Sequence, residues 1–542
     1  MHEIVTLQVG QQANFLGTHY WNTQVSTKHN LDSARQSLSD TDSPQESYFT
    51  YPGRPDSPIN HDISFRPGLS PSGTDTYTPR TLIYDLKGAF GTLRRENALY
   101  ELQQQSNDGP WSNVADTLRL PPIQPSPYQE ALDQGVQPPE LTTQTVRFWS
   151  DYNHLFYHPQ SIVQLNEYEL NNELMPFEKW STGEDLFASL DREHDLLDRD
   201  LRPWLEECDQ LQALQIFSGI DDAWGGFTAR YLERISDELG KGCRWVFGLK
   251  SGGLVDRQRQ MVRVANLAQS LHAIDSSASV HVPIDSLPRL LPEYVQLDSS
   301  SPWHTSALQT AMVESITLPA RLRGTESARA TFDQLETTLN NEGNRRLAAA
   351  GMTIEDPETL EDKAETNGQH DSRMTNGLTD GYHDNDEDDK DTQTDMSIFP
   401  SMSLTPSRPP PRPHTFTATT TLRCPWQAPS IIADSNATSR DPFHSTSGPR
   451  TSSHQSSLLF PVLSSYPKIF RFPGNSRPEK VAVKTVLSTS TAVADEVRAL
   501  ERSVRALVGV EEREALCEGL LRMGEEYEEG WSGGESSEDE DE

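Results

Sequence analysis

The residues that could do chemistry begin where the first predicted strand ends. Val5, Leu7 and Val9 share one face of a short strand, and Gly10 then ends that strand. A glycine turn between a strand and a helix can direct backbone N–H groups at an anion such as phosphate. Many such turns bind nothing, so Gly10 alone leaves both interpretations open.

A second glycine-containing turn follows a later apolar run. The run LQALQIF at 211–217 predicts a buried strand, and GIDDAWGG at 219–226 follows it after Ser218. Amide nests bind phosphate because no side chain obstructs their N–H groups. Here Asp221, Asp222 and Trp224 stand among the glycines, and a carboxylate within about 5 Å of a phosphate costs roughly 3 kcal/mol at an effective dielectric of about 20. The turn therefore disfavours phosphate, unless one aspartate turns toward a metal ion.

Alternating strands and helices must position these turns. Besides the two strands already mentioned, the pattern predicts strands at 81–86, which ends next to Asp85 and is followed by Gly88, and at Arg244–Leu249, with helices at about 183–208 and 227–239. Strand, helix, strand alternation is typical of a parallel sheet with helices on its faces. The predicted fold class is α/β.

Composition separates folded parts from long polar insertions. The 542 residues include 37 prolines and are only 34% hydrophobic, so some segments are too polar to order. We predict a first domain at 1–30 and 77–250 with a disordered insertion at 31–76, a second α/β region at 251–354, a disordered acidic and proline-rich insertion at 355–410, the rest of the second domain with a C-terminal helix at 411–524, and an acidic tail at 525–542.

The C-terminal helix carries one apolar stripe. Val493, Val497, Leu500 and Val504 repeat at steps of 4 and 3 residues. The stripe is short, so burial on the body of the protein is the preferred interpretation and a coiled-coil partner is the alternative.

Charge and cysteine content exclude several classes of protein. A net charge of −35 repels nucleic acid, so direct DNA binding is not expected. The four cysteines form no CxxC pair, which argues against a zinc ribbon or a disulfide framework. No apolar run approaches the roughly 20 residues of a transmembrane helix, so we expect any association with an organelle to be peripheral.

Several segments resemble tubulin in the same order along the chain. MHEIVTLQVGQQANFLGTHYW at 1–21 resembles its first strand, phosphate loop and first helix. YTPRTLIYDL at 77–86 resembles its second strand, and the segment from Cys208 to Gln215 its central strand. The resemblance implies a tubulin-like fold.

The segment 147–200 is different, and it resembles the Misato family, in particular its fungal members. FWSDYNHLFYHP at 148–159 and LNEYEL at 165–170 carry this resemblance. It implies a role in the distribution of mitochondria and in the inheritance of mitochondrial DNA.

The resemblance to tubulin also implies a GTP site, in degenerate form. Lys87 stands where tubulin has a glutamate on the magnesium side, and Gln12 and Ala13 replace its smaller Cys and Gly. No segment matches the loop with which a neighbouring tubulin completes the hydrolytic site. We expect no catalytic residue, no metal and no cofactor beyond a vestigial GTP site, whose residues would be Gly10, Gln11, Asn14, Asp85, Gly225 and Gly226.

The resulting hypothesis is a non-enzymatic protein, peripheral to mitochondria and with a cytoplasmic pool. Its expected partners are cytoskeletal or mitochondrial outer-membrane proteins, including tubulin or its chaperones. Two alternatives stay open: a divergent GTP-binding switch, and an assembly factor for tubulin.

Overall fold

The fold is described from a computed structural model of the chain. The described residues are 2–24, 58–69, 75–93, 123–357 without residues 241, 254, 325 and 342, and then 394–402, 413–424, 450–474, 478–507 and 513–528. The parts of the predicted insertions at 31–57 and 358–393, and the acidic tail from residue 529, lie outside these ranges.

The described strands form two large sheets and one hairpin. In chain order the strands are β1 Glu3–Val9, β2 Phe65–Leu69, β3 Asp75–Pro79, β4 Thr81–Lys87, β5 Ile162–Glu169, β6 Leu211–Gly219, β7 Arg244–Leu249, β8 Val280–Ile284, β9 Ala349–Glu355, β10 Met396–Ser397, β11 Thr415–Arg423, β12 Arg450–Ser456, β13 Phe460–Pro461 and β14 Lys480–Ser490. The helices are α1 Gln11–Gln24, α2 Pro127–Asp133, α3 Trp180–His194, α4 Arg202–Glu206, α5 Ala223–Leu239, α6 Arg257–Ser277, α7 Pro302–Thr317, α8 Phe332–Leu339, α9 Thr491–Ala506 and α10 Arg513–Glu525.

The first sheet is parallel throughout and has the strand order β5-β4-β1-β6-β7-β8. Its central strand β1 pairs with β4 through Thr6 and Thr81, and with β6 through Thr6 and Gln215. After β1 the chain adds β4 and β5 on one side of it. The chain then crosses to the other side of β1, where it adds β6, β7 and β8. The predicted parallel sheet is confirmed, and its switch point lies between β1 and β6, where open α/β sheets place their ligands.

Helices cover both faces of this sheet. Phe15 of α1 and Met312 of α7 belong to the core on one face. Phe227 of α5, Leu271 of α6 and Leu500 of α9 belong to the core on the other. The apolar stripe of α9 is buried against α6 and α10, so its predicted packing on the body is confirmed.

The second sheet is mixed and lies beyond α7. Its order is β10-β9-β14-β11-β12, and only the pair β11 and β12 is parallel. Helix α7 contacts β14 and β11 as well as α1. Glu314 of α7 bonds to Arg321 and to Arg423 of β11, and all three side chains are at most 1% exposed. A buried charge without its partner is very costly, so this cluster fixes α7 to the second sheet.

The boundary predicted at residue 250 lies too early. Helix α6 and strand β8 belong to the first sheet, because β8 pairs in parallel with β7 through Phe247 and Val282. The run VHVPI is only five residues long, and the sequence pattern did not distinguish it from its surroundings. The first domain therefore continues to Ile284.

Two predicted insertions contain ordered parts. Within 31–76, β2 pairs with β3, and Ile59 and Phe65 are buried. Within 355–410, β10 pairs with β9, and Met396 and Ile398 are buried. A few apolar residues in a polar segment are enough to anchor it when a preformed core accepts them.

The helix predicted at 183–208 is interrupted. Helix α3 ends at His194, and Asp195 follows with a left-handed backbone at φ 47°. A wide turn at Leu197–Leu201 and the short α4 complete the segment. Pro203 at the start of α4 lacks an N–H donor, so an uninterrupted helix could not pass through it without losing a hydrogen bond.

Candidate functional site

The candidate site lies at the carboxyl ends of β1 and β6, beside the switch point of the parallel sheet. Gly10 makes the turn from β1 into α1 with φ 92°, a conformation that side chains rarely tolerate. Its N–H donates to the carbonyl of Tyr84 at 3.0 Å, and its carbonyl accepts from the N–H of Asn14 at 3.0 Å. The glycine turn predicted from sequence is therefore present.

The indole of Trp224 lies directly against this turn. A β-carbon on Gly10 would stand only 2.5 Å from Cδ1 of Trp224. The indole is 5% exposed, and its ring centroid lies 5.0 Å from that of Phe177. The space over the glycine turn is thus occupied by a packed aromatic side chain.

The carboxylate of Asp222 takes the place of an anion at the start of α5. Its Oδ1 accepts from the backbone N–H of Trp224 at 2.9 Å, and its backbone carbonyl accepts from Gly225 at 3.2 Å. A β-carbon on Gly219 would meet the same carboxylate at 2.8 Å. Donors at a helix N-terminus are what binds phosphate in many proteins. Here one of these donors, the N–H of Trp224, is used by the carboxylate of Asp222, which caps α5.

Asp221 points in another direction and joins two loops. It accepts from the backbone N–H of Ser251 at 3.1 Å and from its hydroxyl at 2.9 Å. Nε of Arg263 lies 3.8 Å from its carboxylate. These contacts tie the end of β6 to the end of β7 and to α6. The sequence alternative, in which an aspartate turns toward a metal, has no support from this arrangement.

Asp85 is fully buried, and both of its oxygens accept hydrogen bonds from the chain. Oδ2 accepts from Nδ2 of Asn14 at 2.8 Å and from Nε1 of Trp149 at 3.3 Å, and Oδ1 accepts from the N–H of Leu86 at 2.9 Å. Burial raises its pKa to about 7, although these donors act in the opposite direction. Lys87, at the end of the same strand, is half-buried.

The six residues predicted for a nucleotide site are only partly brought together. Gly10, Asn14 and Asp85 form one connected group. Gly225 and Gly226 lie in the first turn of α5, and β-carbons there would meet Ser270 of α6 and the carbonyl of Trp180 in α3. These two glycines allow helices to approach closely. That the six residues bind a nucleotide stays a prediction.

Gln11 faces a separate cleft. The cleft has a volume of about 340 Å³. Its lining residues are Gln11, Phe15, Thr143, Val146, Arg147, Asp298, Ser300, Ser301, Pro302 and Trp303. It has the size of a small-ligand pocket, and Gln12 beside it donates to Oε1 of Gln309 at 3.3 Å.

Sequence reasoning did not find the contact of Trp149 with Asp85. Trp149 is fully buried and lies in the FWSDY run, whose aromatic residues indicate packing but not which carboxylate they reach. Ser251 and Arg263 were also missed, because neither stands in a motif. Among the described residues, no group of three or more His, Cys, Asp or Glu side chains could hold a metal ion.

The fold and the turns at β1 and β6 define a tubulin-like protein. Residues 138–322 match the family described as tubulin domain. Residues 2–43 and 43–134 match the Misato segment II tubulin-like domain. The tubulin-like α/β fold expected from sequence is confirmed.

The relatives are fungal proteins of similar length. Protein DML1 of Phaeosphaeria nodorum is 44% identical over 99% of this chain and 100% of the relative. Protein dml-1 of Neurospora crassa is 41% identical over 100% of both, and protein dml1 of Schizosaccharomyces pombe is 30% identical over 63% of this chain and 70% of that protein. The chain belongs to the Misato/DML1 family.

The GTP that a tubulin-like fold implies does not fit the residues at this edge of the sheet. Its phosphates need open N–H donors beside the two glycine turns. The indole of Trp224 covers Gly10, and the carboxylate of Asp222 accepts from the first turn of α5. Magnesium would need Asp85, whose oxygens already accept three hydrogen bonds.

The contact between Gly10 and Trp224 can be tested by a double-mutant cycle. Gly10→Ala should destabilise the protein through the clash with the indole and through backbone strain at positive φ, and Trp224→Ala should cost about 3–5 kcal/mol. In the Trp224→Ala background the clash is gone, so the penalty of Gly10→Ala should shrink by about 1 kcal/mol or more. Urea unfolding of the four proteins measures this.

Gly240→Ala is the matched control for this cycle. Gly240 also has positive φ, at 56°, but a β-carbon there would meet nothing within 4 Å. Its penalty should be the same in both backgrounds. Equal penalties for Gly10→Ala in the two backgrounds would show that the indole does not lie on Gly10.

The buried carboxyls at the site contribute stability that is lost as pH rises. Burial, and for Asp222 also the neighbouring Asp221, raises the pKa of Asp85 and of Asp222 to about 7. A raised pKa means that the folded state holds the proton more tightly than the unfolded chain. The stabilisation is complete below the unfolded pKa, near 4, and is lost as pH rises through about 7.

Between pH 6 and pH 8 the loss of this stabilisation at each of the two carboxyls should therefore lower the free energy of unfolding by about 1 kcal/mol. Buried histidines such as His19 and His281, whose pKa values burial lowers to about 3, act in the opposite direction over this range, so the test compares variants with the wild type. The Tm of Asp222→Asn, which can still cap α5, should rise relative to that of the wild type from pH 6 to pH 8, and the Tm of Asp209→Asn, at an exposed position, should not. A Tm difference between Asp222→Asn and the wild type that is the same at pH 6 and pH 8 would be inconsistent with a raised pKa at Asp222.

Proposed function

We propose that this chain is a non-enzymatic, tubulin-like protein that acts in the distribution of mitochondria and the inheritance of their DNA. It does so by binding other proteins and not by turning over a nucleotide. The proposal includes no cofactor. The proposal that the chain is not an enzyme is supported by one observation, the filling of the glycine turns by Trp224 and Asp222.

The filling of the glycine turns bears directly on catalysis. Phosphoryl transfer depends on positioned groups that stabilise the charge of the transferring phosphoryl group. The guanidinium of Arg263 on α6 lies 3.8 Å from the carboxylate of Asp221 and is paired with it. The carboxylates present are buried acceptors of the chain's own hydrogen bonds.

The mitochondrial role rests on membership of the Misato/DML1 family and on the family resemblance of the segment 147–200. A net charge of −35 supports an indirect effect on mitochondrial DNA, because duplex DNA would be repelled. We expect the direct partners to be cytoskeletal or mitochondrial outer-membrane proteins, with tubulin or its chaperones among them. Among the described residues, no helix has the length and apolarity to span a bilayer. The proposed location is the mitochondrial surface, with a cytoplasmic pool.

One observation favours a second candidate, a divergent GTP-binding switch. The cleft beside Gln11 lies next to the glycine turn of β1 and has a volume of about 340 Å³. It could receive part of a nucleotide while the phosphate end stays blocked. The two candidates differ in whether GTP binds to the chain at all.

Isothermal titration of the full chain with GTP and magnesium separates them. The non-enzymatic proposal predicts no binding tighter than about 1 mM, which corresponds to roughly 4 kcal/mol. Trp224→Gly with Asp222→Gly reopens the turns and serves as the comparison, and tubulin is the positive control. Micromolar binding of GTP to the wild-type chain would support the switch instead.

The cellular role is tested in a fungal strain that lacks the protein. Loss of the chain should produce clustered mitochondria and cells without mitochondrial DNA foci, counted by fluorescence microscopy. The wild-type chain should restore both, and Asp221→Gly with Asp222→Gly should restore both wherever its expression is normal, because no catalysis is lost. Normal mitochondria in the deletion strain would refute the role.

A further inference from the structure

The loop between β5 and α3 holds two apolar side chains out in water. Leu174 is 92% exposed and Met175 is 53% exposed. Leu174 is the most exposed large hydrophobic side chain in the part of the chain that the structure describes. Exposed apolar groups that stand next to each other mark interaction sites more often than isolated ones.

The loop has a defined conformation. Asn172 Oδ1 accepts from the backbone N–H of Leu174 at 2.9 Å and from that of Met175 at 3.3 Å. Asn171 before it has a left-handed backbone, with φ 60°. These bonds turn the chain so that the two side chains point away from the protein.

The far end of the loop is anchored on the filled site. Phe177 packs between Tyr168 and Trp224, with ring centroids 5.0 Å from each. Asn266 of α6 donates to the carbonyl of Glu178 at 2.7 Å and accepts from the N–H of Trp180 at 3.0 Å. A loop that is fixed at both ends loses little conformational freedom when it binds, which favours a binding role.

The charges around the pair indicate what would bind. Glu167, Glu169, Glu173 and Glu178 are exposed on the same strand and loop. The one lysine among them is Lys179, and Arg259 lies 3.8 Å from Glu178. Anionic lipid would be repelled by this rim, and a second copy of a chain with net charge −35 would be repelled as well. A pocket bordered by Lys and Arg would be attracted.

We propose that Leu174 and Met175 form an anchor pair that inserts into an apolar pocket, bordered by basic side chains, on a partner protein. This inference deepens the proposed function, because that function requires protein partners. It assigns them a contact surface on the loop between β5 and α3. The acidic rim would orient the partner and speed its approach, and the apolar pair would supply most of the affinity.

The experiment begins with the full chain carrying a photoreactive amino acid at position 174, expressed in fungal cells. The same amino acid at position 136 is the control, because Val136 is 58% exposed on a different loop. The proposal expects an adduct at 174 that is absent at 136. The protein in that adduct is then purified and titrated with the full chain. Equal labelling at the two positions would overturn the proposal.

In the titration, Leu174→Ser with Met175→Ser should weaken binding by about 30-fold or more, since both apolar anchors are removed. Glu173→Lys with Glu178→Lys should weaken it several-fold and flatten its dependence on salt. Val136→Ser should change it by less than about twofold. Unchanged affinity in the Leu174 and Met175 variant, or tighter binding after charge reversal, would overturn the proposal.

Two further measurements test the other possible binding partners of Leu174 and Met175, which are a membrane and a second copy of the chain. Flotation with phosphatidylcholine vesicles containing cardiolipin should show no binding that depends on Leu174, and sedimentation should show no dimer that Leu174→Ser removes. Either result would assign the pair to a membrane or to self-association and overturn the proposal. If the proposal of an anchor pair fails, the conclusion from the GTP titration is unaffected. If GTP binds in that titration, the proposal of an anchor pair is unaffected in turn.

Discussion

The contact of Trp224 with Gly10 is the interaction on which the functional account depends. Gly10 has no side chain and a positive φ, which is the geometry that brings backbone N–H groups close to an anion. The indole uses the same geometry to pack against the turn. At this tubulin-like edge the indole is part of the core, and Asp222 completes the cap of α5.

This packing couples the site to its surroundings. Trp224 contacts Phe177, which holds the loop that exposes Leu174. Asp222 and Asp221 belong to the same turn, and Asp221 ties that turn to Ser251. The filled site therefore acts as a support for neighbouring loops. Rigid loops at the carboxyl edge of a parallel sheet are suited to recognition, because the scaffold sets their positions.

Much of the first sheet could be predicted from sequence. The strands β1, β4, β6 and β7 are rich in apolar residues and bounded by turn residues, as buried parallel strands commonly are. Strand β8 was missed because five residues carry little signal. The hairpin of β2 and β3 was missed because its composition is that of a polar insertion.

The candidate site was predictable only in outline. The glycine turns and the unfavourable residues Asp221, Asp222 and Trp224 could be read from the sequence, and the structure brings Gly10 and Trp224 together. Which aspartate caps α5 depends on backbone angles that no local pattern fixes. The contact of Trp149 with Asp85 joins residues 64 positions apart, so only the tertiary fold determines it.

The central claim is tested most directly by a crystal structure of the full chain grown with GTP and magnesium in excess. The account predicts the indole of Trp224 against Gly10, the carboxylate of Asp222 on the first turn of α5, and no triphosphate between β1 and β6. An ordered triphosphate at that position, with Trp224 displaced from Gly10, would contradict it.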